Sequence, residues 1–246
     1  ERVLVTTLTK RMAEDLTDFL KPDGENVLAV RTYRPEDYAR WHTGVGLTRR
    51  CWFVACAEDH LIRDSVAITT PEVSEREATV RVTYEMSKSG RREKTFTVAN
   101  PRLWDVDDPY LYELELEGET FRYGIRTIEW TADDGFRLNG RRVQLKGVNL
   151  HADLGPLGMA FDKGAMRRQL KVMKEMGVNA IRTSHNACDP QLLELCDEMG
   201  FVVWNECYDK WDMTADSTTD GTGLEETVTR NLKAFVRRDR NHPCVV

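Results

Sequence analysis

The chain has 246 residues, 41% of them hydrophobic, and its 35 Lys and Arg against 41 Asp and Glu give a formal net charge of -6. That length holds one large domain or two to three small ones with buried cores, and the acidic balance argues against nucleic acid or an anionic membrane as the main partner. No run of about 18 apolar residues occurs, which excludes a membrane-spanning helix, so the expected ligand is small or neutral.

The first residues, Glu1-Arg2-Val3-Leu4-Val5, lack Met and read as mid-domain, leaving the compartment open between cytoplasm and periplasm. Residues 1–60 contain short β-rich runs. The clearest is Asn26 to Arg31, after the turn Lys21-Pro22-Asp23-Gly24, with Cys51 to Ala55 as its expected partner.

Residues 61–130 alternate apolar and polar side chains with period two: Ala78 to Tyr84, Lys94 to Val98, then Tyr110 to Leu116. The turns Ser87-Lys88-Ser89-Gly90 and Glu117-Gly118-Glu119 separate these runs at the spacing of a small immunoglobulin-like β-sandwich.

Residues 131–246 switch to strands alternating with helices. Arg142 to Val148 is the first predicted strand, and the helix over 162–176 places Met166, Leu170 and Met173 on one face before Gly177 ends it. Asn179 to Thr183 is the second strand. Asp189-Pro190 starts a helix with an N-cap acid and a proline at its first position, and Leu192, Leu193, Cys196 and Met199 form its stripe before Gly200. Phe201 to Trp204 is the third strand, Leu224, Val228, Leu232 and Phe235 line the third helix, and Cys244-Val245-Val246 opens a fourth strand.

Such β-α repeats imply parallel strands, in a doubly wound sheet or a (β/α)8 barrel. Asn149-Leu150-His151-Ala152-Asp153 stands where a Gly-rich phosphate loop would follow strand one, which weakens a dinucleotide-binding reading. In a barrel, chemistry gathers just past the C-terminal strand ends. Those positions hold His151 and Asp153, then Arg182, Ser184, His185 and Asn186, then Asn205, Glu206, Tyr208, Asp209 and Trp211.

Each has a plainer reading. A lone His is more often hydrogen-bonded to backbone, although two at successive strand ends favour function. Glu206 could serve as an ion-pair partner for Arg182. Trp204, flanked by valines, reads as core, and Trp211 as core or a platform for a sugar face. The six cysteines, Cys51, Cys56, Cys188, Cys196, Cys207 and Cys244, show no C-x-x-C spacing and read as reduced structural thiols. The five histidines are not paired at zinc-ligand spacing.

Arg142 to Trp211 resembles the opening of the catalytic barrel of glycoside hydrolase family 2, the β-galactosidase and β-glucuronidase family. The motifs are Gly147-Val148-Asn149-Leu150-His151-Ala152-Asp153-Leu154-Gly155-Pro156-Leu157-Gly158, then Asn179 to Asn186, then Asp239-Arg240-Asn241-His242-Pro243. Upstream, Leu103-Trp104-Asp105 with Pro109 to Tyr112 and Tyr123-Gly124-Ile125-Arg126 is similar to the family's immunoglobulin-like domain. Asn26 to Arg31 and the loop Trp41 to Gly46 resemble the end of its sugar-binding jelly roll.

The resemblance implies a multidomain β plus α/β chain: a jelly-roll remnant over 1–60, an immunoglobulin-like β-sandwich over 61–130 and a partial (β/α)8 TIM barrel over 131–246. His151-Ala152-Asp153-Leu154-Gly155 is similar to the galactosidase branch, which departs from this chain in carrying a histidine at Ala152, prolines near Ala187 and Cys188, and an aspartate at Asn205. By resemblance, His151, Asp153, Arg182, His185, Asn186, Glu206 and Trp211 bind a β-linked galactoside or oligosaccharide.

The family hydrolyses β-glycosides with retention, using two glutamates. The resemblance puts the acid/base in an Asn-Glu pair at the end of strand four, a few residues beyond Val246, and the nucleophile later still. The polypeptide as given is therefore expected to be an inactive fragment. It also implies oligomer contacts through the sandwich, no required cofactor, and at most a Mg or Na ion near Glu206. A barrel typically takes about 250 residues, so residues 140–246 alone are expected to expose apolar strand edges. A non-catalytic sugar-binding or scaffold protein, a structural assembly piece, and a β-glucuronidase or β-mannosidase of the same family are the alternatives.

Overall fold

The computed structural model of the chain describes residues 4–5, 28–29, 54, 56–208 and 224–246. Two units divide it, Glu1–Cys51 and Trp52–Val246. In the first, β1 (Leu4–Val5) and β2 (Leu28–Ala29) pair in parallel, with Leu4 beside Leu28. β2 lies inside the strand expected over Asn26 to Arg31. Of the expected partner Cys51 to Ala55 only Val54 is described, outside any strand, and the Trp41 to Gly46 loop lies outside the described residues.

The second unit begins with a two-layer sandwich. β3 (Ala67–Val73), β4 (Glu77–Met86) and β5 (Gly90–Ala99) form one antiparallel sheet, and β6 (Tyr112–Leu116) with β7 (Glu119–Tyr123) the other. Period-two alternation sends Ala78, Val80, Val82 and Tyr84 inward, where they are buried against Leu116, Phe121, Tyr123 and Ile125. Both hairpin turns fall where the sequence indicates. Glu117 and Gly118 have positive φ (50° and 82°), as a two-residue type I′ turn requires. The Ser87–Ser89 turn is closed by Asp59, whose Oδ1 accepts from the Lys88 N–H at 2.9 Å and whose Oδ2 accepts from Ser89 Oγ at 2.7 Å.

A small antiparallel sheet follows: β8 (Ile128–Thr131), β9 (Gly135–Leu138) and β10 (Arg141–Arg142). This corrects the single strand expected over Arg142 to Val148. Arg142 belongs to β10, and the first barrel strand is β11 (Gly147–His151). The break has a side-chain cause: Asn179 Oδ1 accepts from the Lys146 N–H at 2.7 Å and its Nδ2 donates to the Gln144 carbonyl at 2.9 Å, so an amide replaces the strand ladder there.

β11, β12 (Ala180–Ser184) and β13 (Val202–Trp204) run parallel in that order, and Val245 bridges Val203 in parallel on the far side. The helices start and stop on the signals in the sequence. Asp162 accepts from the Ala165 N–H at 2.7 Å to cap α1 (Lys163–Glu175), and Asp189 accepts from the Gln191 N–H at 2.8 Å to cap α2 (Pro190–Met199). Met166 and Leu170 of α1 and Leu192, Leu193, Leu195 and Cys196 of α2 pack with Leu150, Ile181 and Val203 of the strands. A fully buried Leu such as Leu170 or Leu193 contributes roughly 2 kcal/mol.

The Arg-Asn-His-Pro motif after α3 (Leu224–Asp239) joins the sandwich to the barrel strands. Arg240 donates to the carbonyls of Asp64, Ser65 and Val66. The Asn241 amide accepts from the Ile68 N–H and donates to the Val66 carbonyl, both at 2.9 Å, extending the edge of β3. His242 Nδ1 lies 2.5 Å from Asp197 Oδ2, and Asp197 Oδ1 accepts from the Cys244 N–H at 3.0 Å. Trp104, fully buried, donates its indole N–H to the Asp197 carbonyl at 2.9 Å.

Two glycines permit the close approach. A Cβ on Gly124 would lie 2.7 Å from Pro243 Cβ, and one on Gly200, whose φ is +72°, would lie 2.3 Å from the Val106 carbonyl oxygen. Gly200→Ala therefore combines backbone strain with a steric clash and should lower the unfolding free energy by about 1–3 kcal/mol in urea titrations.

Burial alone would push the His242 imidazole down, but the hydrogen bond and charge of Asp197, together with the charges of Asp239 and Glu194, outweigh it and the net shift is upward. A raised folded pKa means this contact contributes fully below the unfolded value of about 6.5 and is lost as pH rises through the folded value. Urea midpoints should therefore fall as pH rises from about 6 into the alkaline range, and His242→Asn should remove that slope.

Candidate functional site

The register of the parallel strands builds the site in rows. Gly147, Ala180 and Val202 form one row, Asn149, Arg182 and Trp204 the next, and His151 lies beside Ser184 above them. Alternation places these residues on one face of the sheet. The two lower rows, Gly147, Ala180 and Val202 with Asn149, Arg182 and Trp204, line a groove of about 360 Å³.

At the strand ends a charged cluster meets this groove through Arg182. Arg182 Nε donates to Glu206 Oε1 at 2.7 Å, and its Nη1 reaches Asn149 Oδ1 at 3.4 Å. His185 Nδ1 sits 3.2 Å from Glu206 Oε2 and 3.3 Å from Arg182 Nη2. A proton on Nδ1 makes the ring a donor to the carboxylate, and a proton on Nε2 makes it an acceptor from the guanidinium. The His151 ring stands edge-on to His185 with centroids 5.2 Å apart. Arg182, His185, His151 and Glu206, singled out in the sequence, thus come together.

Three other sequence candidates are not placed in this cluster. Asp153 is exposed, and its Oδ1 accepts from the Gly155 N–H at 2.7 Å, a bond local to its own loop. Asn186 is exposed, and Trp211 lies outside the described residues. Trp204, expected in the core, is 56% exposed and meets Trp130 edge-on at 6.3 Å. Its flanking valines are both buried, but the pleat turns the indole onto the groove side together with Arg182. Asn149 and Ser184 also face this side. Ser184 Oγ is buried without a hydrogen-bond partner among the described residues, a state that costs about 1–3 kcal/mol unless a ligand or water takes the hydroxyl. Period-two alternation from Gly147 would have found Asn149, had the strand start been placed there.

Glu206 does not suit a hard cation. Both its oxygens are taken by Arg182 and His185, and no group of three or more His, Cys, Asp or Glu that could hold a metal occurs among the described residues.

Two family models match the chain. "Glycosyl hydrolases family 2, TIM barrel domain" matches residues 131–246, and "Glycosyl hydrolases family 2" matches residues 60–126. The chain belongs to glycosyl hydrolase family 2. The beta-galactosidase BoGH2A of Bacteroides ovatus is 36% identical over 94% of this chain and 32% of its own length. A putative beta-glucuronidase of Formosa agariphila is 30% identical over 94% of this chain and 26% of its own. A solved family 2 structure from Bacteroides cellulosilyticus superposes with a TM-score of 0.73 at 29% identity, covering 84% of this chain and 34% of that one. The beta-glucuronidase of Parabacteroides merdae gives 0.64 at 25% identity, covering 77% of this chain and 28% of that one. The chain spans between about a quarter and a third of the length of these curated relatives.

Within this family 2 chain, the ion pair at the strand ends is open to a direct energetic test. Arg182 is 41% exposed and Glu206 18%. A double-mutant cycle over Arg182→Met and Glu206→Gln should therefore give a coupling of about 1–2 kcal/mol in urea unfolding, below that of a fully buried pair.

Proposed function

We propose that this chain carries the sugar-binding portion of a retaining exo-β-glycosidase that acts on terminal β-galactosides. The observation that supports it best is the meeting of Arg182, His185, His151 and Glu206 at the ends of parallel strands, above a groove walled by the exposed Trp204. An indole face suits the apolar face of a pyranose, while Asn149 offers a partner for ring hydroxyls. Arg182 is already paired with Glu206, which leaves a rim close to neutral and favours a neutral sugar over a uronate.

Retaining hydrolysis needs two carboxyls about 5 Å apart, one to protonate the leaving oxygen and one to trap the sugar. Glu206 is a single carboxylate with both oxygens engaged, so its proposed role is to orient Arg182 and His185 against the substrate. The acid/base and nucleophile are assigned to strands beyond Val246. On this reading residues 1–60 close a jelly roll, 61–130 form the immunoglobulin-like domain and 131–246 open the barrel. The partner is a glycoside, and no helix among the described residues is long and apolar enough to cross a membrane.

Titration of polypeptide 1–246 with methyl β-galactoside, β-glucuronide and β-mannoside, followed by NMR, should give saturable binding for the galactoside alone. Aryl β-galactoside should remain uncleaved by this polypeptide and be cleaved by a gene product that extends past Val246. Cleavage of the glucuronide instead would move the chain to that branch. Sugar binding without any cleavage by the longer product would favour a scaffold.

A further inference from the structure

Glu206 is held at the groove by hydrogen bonds whose directions are forced. Its backbone N–H donates to Thr183 Oγ1 at 2.8 Å. A hydroxyl has one proton, and that of Thr183 is directed to Asn205 Oδ1 at 3.1 Å. The other end of the same amide, Nδ2, donates to Asp239 Oδ2 at 2.7 Å. Asp239 is 2% exposed and paired twice with Arg238, each contact at 2.6 Å, so its carboxylate can only accept. Flipping the amide would set its oxygen against that carboxylate. In this chain position 205 therefore accepts at one end and donates at the other, and an Asp there, the residue that the resemblance gives the galactosidase branch, could donate only when protonated.

We propose that Asn205 is a positioning residue for the sugar site: by accepting from Thr183 and donating to Asp239 it fixes the strand end so that Glu206 meets Arg182 and His185. Asp239 ends the helix whose next residues, Arg240 and Asn241, bond to the backbone leading into and at the start of β3, so the same amide ties the site to the sandwich. The groups around it are Arg238 on α3, Cys188 at 3.7 Å and Asp189 from the β12–α2 connection, and Glu206 and Cys207 after β13. Only the word sugar rests on the function proposed above; the positioning itself does not.

The test reads the Glu206 amide by hydrogen exchange, alongside affinity for methyl β-galactoside, in the full chain. Asn205→Asp creates facing carboxyls that hold together only by sharing a proton. Its Glu206 protection factor should fall by about tenfold or more near pH 8 and recover toward pH 5. The swapped double variant Asn205→Asp with Asp239→Asn reverses the donor and should restore most of the protection at both pH values, with sugar affinity following in parallel. Equal protection in Asn205→Asp and the parent at both pH values, or a double variant no better than the single, overturns the proposal. If Asn205→Asp does not fold, folding of the double variant supports it and failure of both overturns it. Loss of the sugar signal in the parent with the exchange pattern intact would count against the proposed function alone.

Discussion

Asp197 is the point on which the second unit depends. This one residue of α2 accepts from the Trp104 indole through its carbonyl, from the Cys244 N–H through one carboxylate oxygen, and faces His242 through the other. Three stretches far apart in sequence are thereby brought together in a region closed to water. An unpaired carboxylate buried there would be strongly destabilising, so the partners and the packing around them must form together. Trp104 and Val106, from the connection between the two sandwich sheets, lie in the same apolar cluster as α1 and α2. The connection between the sandwich sheets is thus built into the barrel's apolar cluster, while the sandwich keeps a separate core of its own.

The Arg-Asn-His-Pro motif spends most of its side chains on this junction between sandwich and barrel strands. Arg240 and Asn241 bond to backbone at the start of β3, His242 to Asp197, and Pro243 fits over Gly124. Only Asp239 faces the strand ends, through Asn205. The motif thereby sets where Val245 lies beside Val203, in a parallel bridge on the far side of β13.

Much of this was legible because local rules and tertiary structure agree. The buried alternation from Ala78 to Tyr84, the Glu117-Gly118 turn, the Asp162 and Asp189 caps and the left-handed Gly200 each follow from residue type and spacing. Reading failed where a distant side chain decided the outcome. Val143 and Leu145 extend the alternation of a strand, but the Asn179 amide, more than thirty residues on, takes the backbone groups of 144 and 146. Flanking valines report burial of a strand and not which face a given side chain takes, so Trp204 lies on the groove where its neighbours imply core. The cluster of Arg182, His185, His151 and Glu206 was found from the strand-end rule, whereas the Thr183–Asn205–Asp239 chain needs three-dimensional contacts to be seen.

Glu198 receives Arg122 from the sandwich at 2.8 Å and Arg167 from α1 at 2.5 Å, and both arginines are about half exposed. Attractions at such depth fade in concentrated electrolyte, where the screening length shrinks to about 3 Å at 1 M. The Asp197 contacts lie out of reach of mobile ions. Ionic strength thus separates the two kinds of junction: brine loosens the outer arginine fork and leaves the inner seam of the two layers closed.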